Sequence, residues 1–166
     1  MDALKQNLIP YIISNIIFLL TIVAALKKPM WARIFLAGLF LWASYINSKS
    51  VIISPEIYLD YARLTPVPFY SEFINGYFSR HITECILFVA AGEFLIFLGL
   101  LLHNRWVKLA CIGGIIFGLA IAPLGVGSAF PATVLMAIAF LILYKNYVHG
   151  YIWKKGQYKA AYKQIL

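Results

Sequence analysis

Glu84, Glu93 and His81 interrupt a largely apolar run, RHITECILFVAAGEFLIFLGLLLH, at residues 80–103. Their types and spacing decide what chemistry the run could support. His81 and Glu84 are three residues apart, so on a helix they share a face. Glu84 and Glu93 are nine apart, which at about 100° per residue is two and a half turns, and they point in opposite directions. They are not a carboxylate pair for acid–base work. Glu84 lies within a turn of the helix start, where it can reach water or Arg80. Glu93 falls near mid-helix. A charged side chain at bilayer depth costs about 2.5–3.5 kcal/mol on insertion scales, so such residues face a bundle interior and mark functional sites. Glu93 is the strongest candidate, either as a neutral core residue or as the anchor for the polar head of a lipophilic ligand or a proton. Asn15, Ser14, Ser44 and Asn47 are its candidate partners from the first two helices.

Other chemistries are poorly served. His81, Glu84 and Cys85 imitate part of a metal site, but the three histidines are far apart and no ExxH supplies the matching ligands of a di-metal bundle, so no metal is expected. There is no GxSxG and no glycine-rich phosphate loop after a strand. Cys85 and Cys111 fall near opposite ends of consecutive helices, roughly 18 Å apart in depth at 1.5 Å per residue. A disulfide needs Cα atoms within about 7 Å, which disfavours a bridge and thiol redox chemistry.

The elements that must position Glu93 are membrane helices. Of 166 residues, 63% are hydrophobic and 12% charged, with a mean hydropathy of +0.84. Soluble domains are about 25% charged. The reading is an all-α polytopic bundle in one domain, with five spans at about 8–26, 31–48, 82–103, 106–123 and 131–147. The first is followed by Lys27-Lys28-Pro29 and not by a cleavage site, so it reads as a retained helix. In it, Ser14 is expected to bond its own helix and Asn15 a neighbouring one. Arg33, at the start of the second, reads as a residue that snorkels to the interface. In the fourth, Ala110, Gly114, Gly118 and Ala122 form a small-residue stripe for close helix packing.

Between the second and third spans, residues 50–79 are rich in aromatics and proline. A short helix is expected over 56–64, with Ser54 as N-cap and Pro55 at its first position. The segment either lies in the headgroup region or forms a lid over a ligand cavity. The tail, 149–166, alternates lysines with aromatics and reads as a basic interfacial helix.

With the N-terminus outside, ten of the 14 basic residues fall inside, which supports N-out, C-in. The net charge of +8 is thus read as topology and anionic-lipid anchoring, with no nucleic-acid partner. The expected partners are the bilayer and either another membrane protein or a second copy. The expected location is the bacterial inner membrane.

Three blocks carry a resemblance: ARIFLAGLFLWASYIN (32–47), SPEIYLDYARLTPVPFYSEFIN (54–75) and AAGEFLIFLGLLLHNR (90–105). Together they resemble the DoxX-like family of small membrane proteins: an arginine before an apolar helix, a Pro-acid-x-aromatic loop, and a Glu-then-Leu/Gly helix with a short basic turn. The resemblance covers about 32–143. The chain departs from the family in its extra N-terminal helix, in Glu84 and in its basic tail. The resemblance implies a four-helix core, a charged pair at Arg33 and Glu93, and a link to membrane redox systems such as thiosulfate:quinone oxidoreductase. A bound quinone is the cofactor it suggests. Related animal sequences are receptor-assembly chaperones, so an assembly protein that docks a partner through the glycine stripe and the loop is a second expectation. A small transporter or lipid-handling enzyme is a third. The ligand-site candidates are Glu93, Glu84, His81, Arg33, Asn47 and Asn15.

Overall fold

The computed structural model describes residues 8–146. The tail, 149–166, read above as a basic interfacial helix, lies outside the described residues. Among those residues there is no strand. Five longer helices carry the bundle: α1 (Leu8–Lys27), α2 (Pro29–Ile53), α3 (Ile82–Leu101), α4 (Arg105–Ile121) and α5 (Ala132–Lys145). Four segments are long and apolar enough to cross a membrane: α1, α2, α3 and Arg105–Ser128, which continues α4 through a 3-10 turn. Four of the five expected spans are present at full length, and the fifth, expected over 131–147, corresponds to α5, which has 14 residues. That is about 21 Å at 1.5 Å per residue, against a hydrocarbon core of about 30 Å. Half of α5 is buried against its neighbours.

Sequence chemistry sets the breaks. Pro29 excludes helix at the residue before it, and Lys28 leaves it at φ −145°. That one residue separates α1 from α2, with proline in the first turn of the new helix. The second helix runs past Ser48, where the polar run Asn47–Ser50 suggested an end. No glycine or proline follows Ser48 before Pro55, so the helix continues to Ile53. Asn104, at φ 52°, turns the chain between α3 and α4.

The helices form a closed ring. Each packs on the next in sequence, most extensively α2 on α3, and α5 closes the circle against α1. Lys27, Lys28, Arg33, Arg105, Lys108 and Lys145 gather at one end, here the basic end. Near it the interior is solid: Leu36, Ala37, Ile96, Leu100, Val107, Cys111, Phe140 and Leu143 form a continuous core. Phe40 meets Phe117 and Phe140 edge-on, both at 5.5 Å between ring centroids.

The small-residue stripe of α4 is spent on this packing. A Cβ on Gly114 would stand 2.4 Å from the Phe140 ring, and one on Gly118 would stand 2.8 Å from the Thr133 carbonyl oxygen. These glycines face α5 within the chain, so the stripe is not an open docking surface. Outward, the helices present large apolar side chains such as Ile9, Leu20, Phe88 and Ile116, the arrangement a lipid solvent favours.

Residues 55–78 cross the other end. They comprise a 3-10 helix (Pro55–Asp60), a helical turn (Tyr61–Leu64), a short helix (Pro68–Phe73) and a π-helical turn (Ile74–Phe78). The expected helix over 56–64 is thus split between two types, and Ser54 makes no side-chain cap. Thr65 Oγ1 donates to the Pro123 carbonyl at 2.6 Å and Tyr70 Oη to that of Ala120 at 2.8 Å. Gly125, at φ 64°, lets this segment come close: a Cβ there would lie 2.7 Å from Pro66. The segment is fastened over the bundle as a cap, with Phe69 and Tyr77 still exposed on its outer side.

Candidate functional site

Beneath the cap the bundle is hollow. A cavity of about 470 Å³ opens between the helices, within the range of small-molecule sites, about 300–1,000 Å³. Its floor is Phe40, Phe117 and Met136, and its roof is Tyr58, Tyr61, Tyr70, Phe73 and Phe78. Of the two alternatives for residues 50–79, the cap over a cavity describes the inner face of the segment.

Glu93 stands in the cavity wall, 2% exposed. Asn47, on α2, donates its amide to both carboxylate oxygens, at 3.0 and 2.8 Å. Tyr58, from the cap, donates its hydroxyl to Asn47 Oδ1 at 3.0 Å. The relay Tyr58–Asn47–Glu93 joins cap, α2 and α3. Burial, and next the neighbouring Tyr61, push the Tyr58 phenol above its ordinary range, so it stays a neutral donor. Tyr61 stacks on Tyr58, with centroids 6.4 Å apart, and burial raises its phenol too. These two rings and Gly127 also border a second cavity of about 400 Å³ that reaches Tyr11, Ser14 and Asp60.

This arrangement supplies a fixed hydrogen-bond acceptor at the side of an aromatic chamber. One acid held by one amide is suited to gripping a polar head, and the rings suit a flat or chain-like apolar body.

Of the residues singled out in the sequence, the structure brings Glu93 and Asn47 together and places the other four elsewhere. Arg33 does not snorkel and is not paired with Glu93. It is 2% exposed, and its guanidinium donates from Nε to the Leu100 carbonyl at 2.6 Å and from Nη2 to that of Leu102. The end of α3 leaves carbonyls without helical partners and carries partial negative charge, which a buried cation satisfies. Asn15 donates to the carbonyls of Tyr11, at 2.9 Å, and Ala129, at 3.3 Å. It therefore ties α1 to the α4–α5 connection and not to Glu93. Ser14 bonds the Pro10 carbonyl of its own helix, as expected, and Ser44 bonds Ala90 across to α3.

Glu84 is exposed in the first turn of α3, on the opposite side from Glu93. The His81 ring packs on Tyr77 at 4.7 Å, and neither His81 nor Glu84 lines the chamber. Cys85 and Cys111 are both free thiols. Among the described residues, no three His, Cys, Asp or Glu side chains converge as metal ligands.

Sequence reasoning missed Tyr58 and Thr133. Tyr58 carried one usable signal, its i,i+3 spacing with Tyr61 after a proline-started turn, which puts two rings on one face. The chain matches no protein-family model, no curated protein and no solved structure.

Proposed function

We propose that this membrane protein holds a lipophilic small molecule in the chamber under the cap, with Glu93 bonding its polar head. The supporting observation is the buried Glu93 carboxylate, aligned by Asn47 and Tyr58 at the edge of a mostly apolar cavity of about 470 Å³. A carboxylate placed so deep in an apolar bundle is expensive unless something uses it.

The resemblance to DoxX-like proteins narrows the ligand to a quinone or related isoprenoid and the role to an accessory subunit of a membrane redox complex. It also brings the bacterial inner membrane as the location. In this reading α5 completes a fifth crossing, with the N-terminus outside and the basic end inside. The support is the gathering of basic residues at one end and the cap at the other.

The test is native mass spectrometry of the protein released from mild detergent, with extraction of whatever co-purifies. A stoichiometric lipophile on the wild-type chain, lost from Glu93→Gln while the melting temperature stays within a few degrees, is the expected result. Equal retention by Glu93→Gln removes Glu93 from the site.

A further inference from the structure

The chamber has an open side. Of the large apolar side chains that border it, two are well exposed: Trp42, at 61%, and Phe73, at 43%. Phe73 belongs to the cap, where Tyr77 and Phe78 flank its ring and Tyr70 fastens the same short helix to Ala120. Trp42 is placed differently. It stands near the middle of α2, away from the helix ends where tryptophans anchor at a membrane surface. It lies two positions before Ser44, about 200° around a helix of 3.6 residues per turn. Ser44 bonds α3 through the Ala90 carbonyl, so Trp42 turns away from α3 and toward the outside of the ring. A side chain that borders the chamber and faces outward marks a gap in the wall.

The helix that leaves this gap is α1. Its two buried residues, Thr21 and Ala25, lie in the half next to Lys28, the single residue that joins it to α2. Toward the cap, α1 leans the other way. It packs more extensively on α5 than on α2, and Asn15 reaches the Ala129 carbonyl. The wall between α1 and α2 therefore consists of Phe18 from the first helix with Leu39, Trp42 and Ala43 from the second, a seam with no charged side chain. The other direction, into the second cavity, is closed off by Tyr61. Its ring is pressed so near Gly127 that a Cβ there would stand 2.4 Å away.

Resting on the reading of this chamber as a binding site, we propose that its ligand is a single-headed, long-chain amphiphile. The head is held inside at Glu93, and the apolar tail runs out between α1 and α2 into the bilayer. Lipid tails are as apolar as leucine, so a chain in the seam exchanges one apolar neighbour for another, and its length beyond the wall is immaterial. A molecule enclosed whole would instead be limited by the chamber of about 470 Å³.

The test is a tail-length series. The full chain is placed in nanodiscs of palmitoyl-oleoyl phosphatidylcholine, and 4-butyl-, 4-octyl-, 4-dodecyl- and 4-octadecylphenol are added at rising mole fraction in the lipid, with occupancy read by native mass spectrometry. The wild type is expected to bind the octyl, dodecyl and octadecyl members within about threefold of one another. Phe18→Trp and Ala43→Phe, each adding bulk to the seam, should weaken the dodecyl and octadecyl members by at least about tenfold relative to the butyl one, as overpacking does. Either variant suffices if the other fails to fold, and the wild-type series needs neither. Ala120→Phe, on the α4 side of the chamber, should leave the series flat. A wild-type affinity that falls about tenfold or more with tail length means that the ligand is enclosed whole. That result overturns the open seam and leaves the Glu93 reading standing. Seam variants that bind every tail as the wild type does, or a length limit imposed by Ala120→Phe instead, overturn the α1–α2 exit. Binding of no member, or binding that Glu93→Gln does not weaken, overturns the chamber reading itself.

Discussion

Asn47 presents one amide nitrogen to both carboxylate oxygens of Glu93, at 3.0 and 2.8 Å, across the seam between α2 and α3. The amide is itself oriented, because Tyr58 holds its oxygen from the cap. The acid is thus aimed by two residues from two other elements. Closing the cap and aligning the acid are one event.

The relay predicts an asymmetry between two substitutions. Asn47→Leu leaves the acid without its donor and should destabilise the protein by about 1–3 kcal/mol, the cost of a buried unsatisfied group. Tyr58→Phe removes only the orienting hydroxyl and should cost about 0.5–1.5 kcal/mol. Both should reduce co-purifying lipophile, measured against Glu93→Gln. If Asn47→Leu is as stable as the wild type, the amide is not what holds Glu93.

Arg33 should be intolerant even of lysine. Its Nε and Nη2 reach two carbonyls at the end of α3, Leu100 and Leu102, and a lysine presents a compact point charge instead of a planar fork. Arg33→Lys should lose about 1–2 kcal/mol and Arg33→Met about 2–3 kcal/mol, the range for hydrogen bonds to charged groups. Thermal unfolding in detergent checks this, and ligand retention at sub-melting temperature should be unaffected. A loss of retention without a loss of stability would instead return Arg33 to the site.

Gly114→Ala should destabilise the α4–α5 contact by about 1–3 kcal/mol, as overpacking does, because the new Cβ meets the Phe140 ring. Phe140→Leu should cost stability alone yet rescue Gly114→Ala in the double variant. The double-mutant cycle is the measurement, and additive effects would mean that the two positions do not share a contact.

The cap should loosen at high pH. The phenols of Tyr58 and Tyr61 are raised in the folded protein by burial, so above pH 10 the unfolded chain releases these protons more readily than the folded one. Stability then falls as pH rises. The loss begins near the ordinary phenol value of about 10 and is complete only above the raised values. Below pH 10 neither residue adds a slope. Melting temperature from pH 8 to 11 reports this, and Tyr58→Phe should flatten the alkaline limb. An unchanged limb in Tyr58→Phe would assign it to other groups.

Glu93 was legible as the candidate site residue because an acid deep in an apolar run is a local contradiction that needs no knowledge of the fold. Asn47 was legible as a candidate, since it lies on a neighbouring span. Arg33 was misplaced because its position near a helix start is equally compatible with snorkelling and with capping another helix, and only the α2–α3 packing separates the two. Asn15 was misplaced for a similar reason: its partner, Ala129, is 114 positions away and offers a backbone carbonyl, which no sequence pattern marks. The chamber itself was out of reach. It depends on Phe40, Phe117 and Met136 meeting as a floor, and on a proline-rich stretch folding back as a roof. The glycine stripe announced close packing but not its partner, and the partner turned out to be α5.

The closed ring bears on how the molecule is made. Because α5 seals the circle between α4 and α1, a nascent chain that has threaded only its first four helices is an open trough. Phe18 and Asn15 on α1 then still await the wall bearing Thr133 and Met136. In the reading proposed above, the ligand can be laid in from the side at that moment, and α5 then shuts it in.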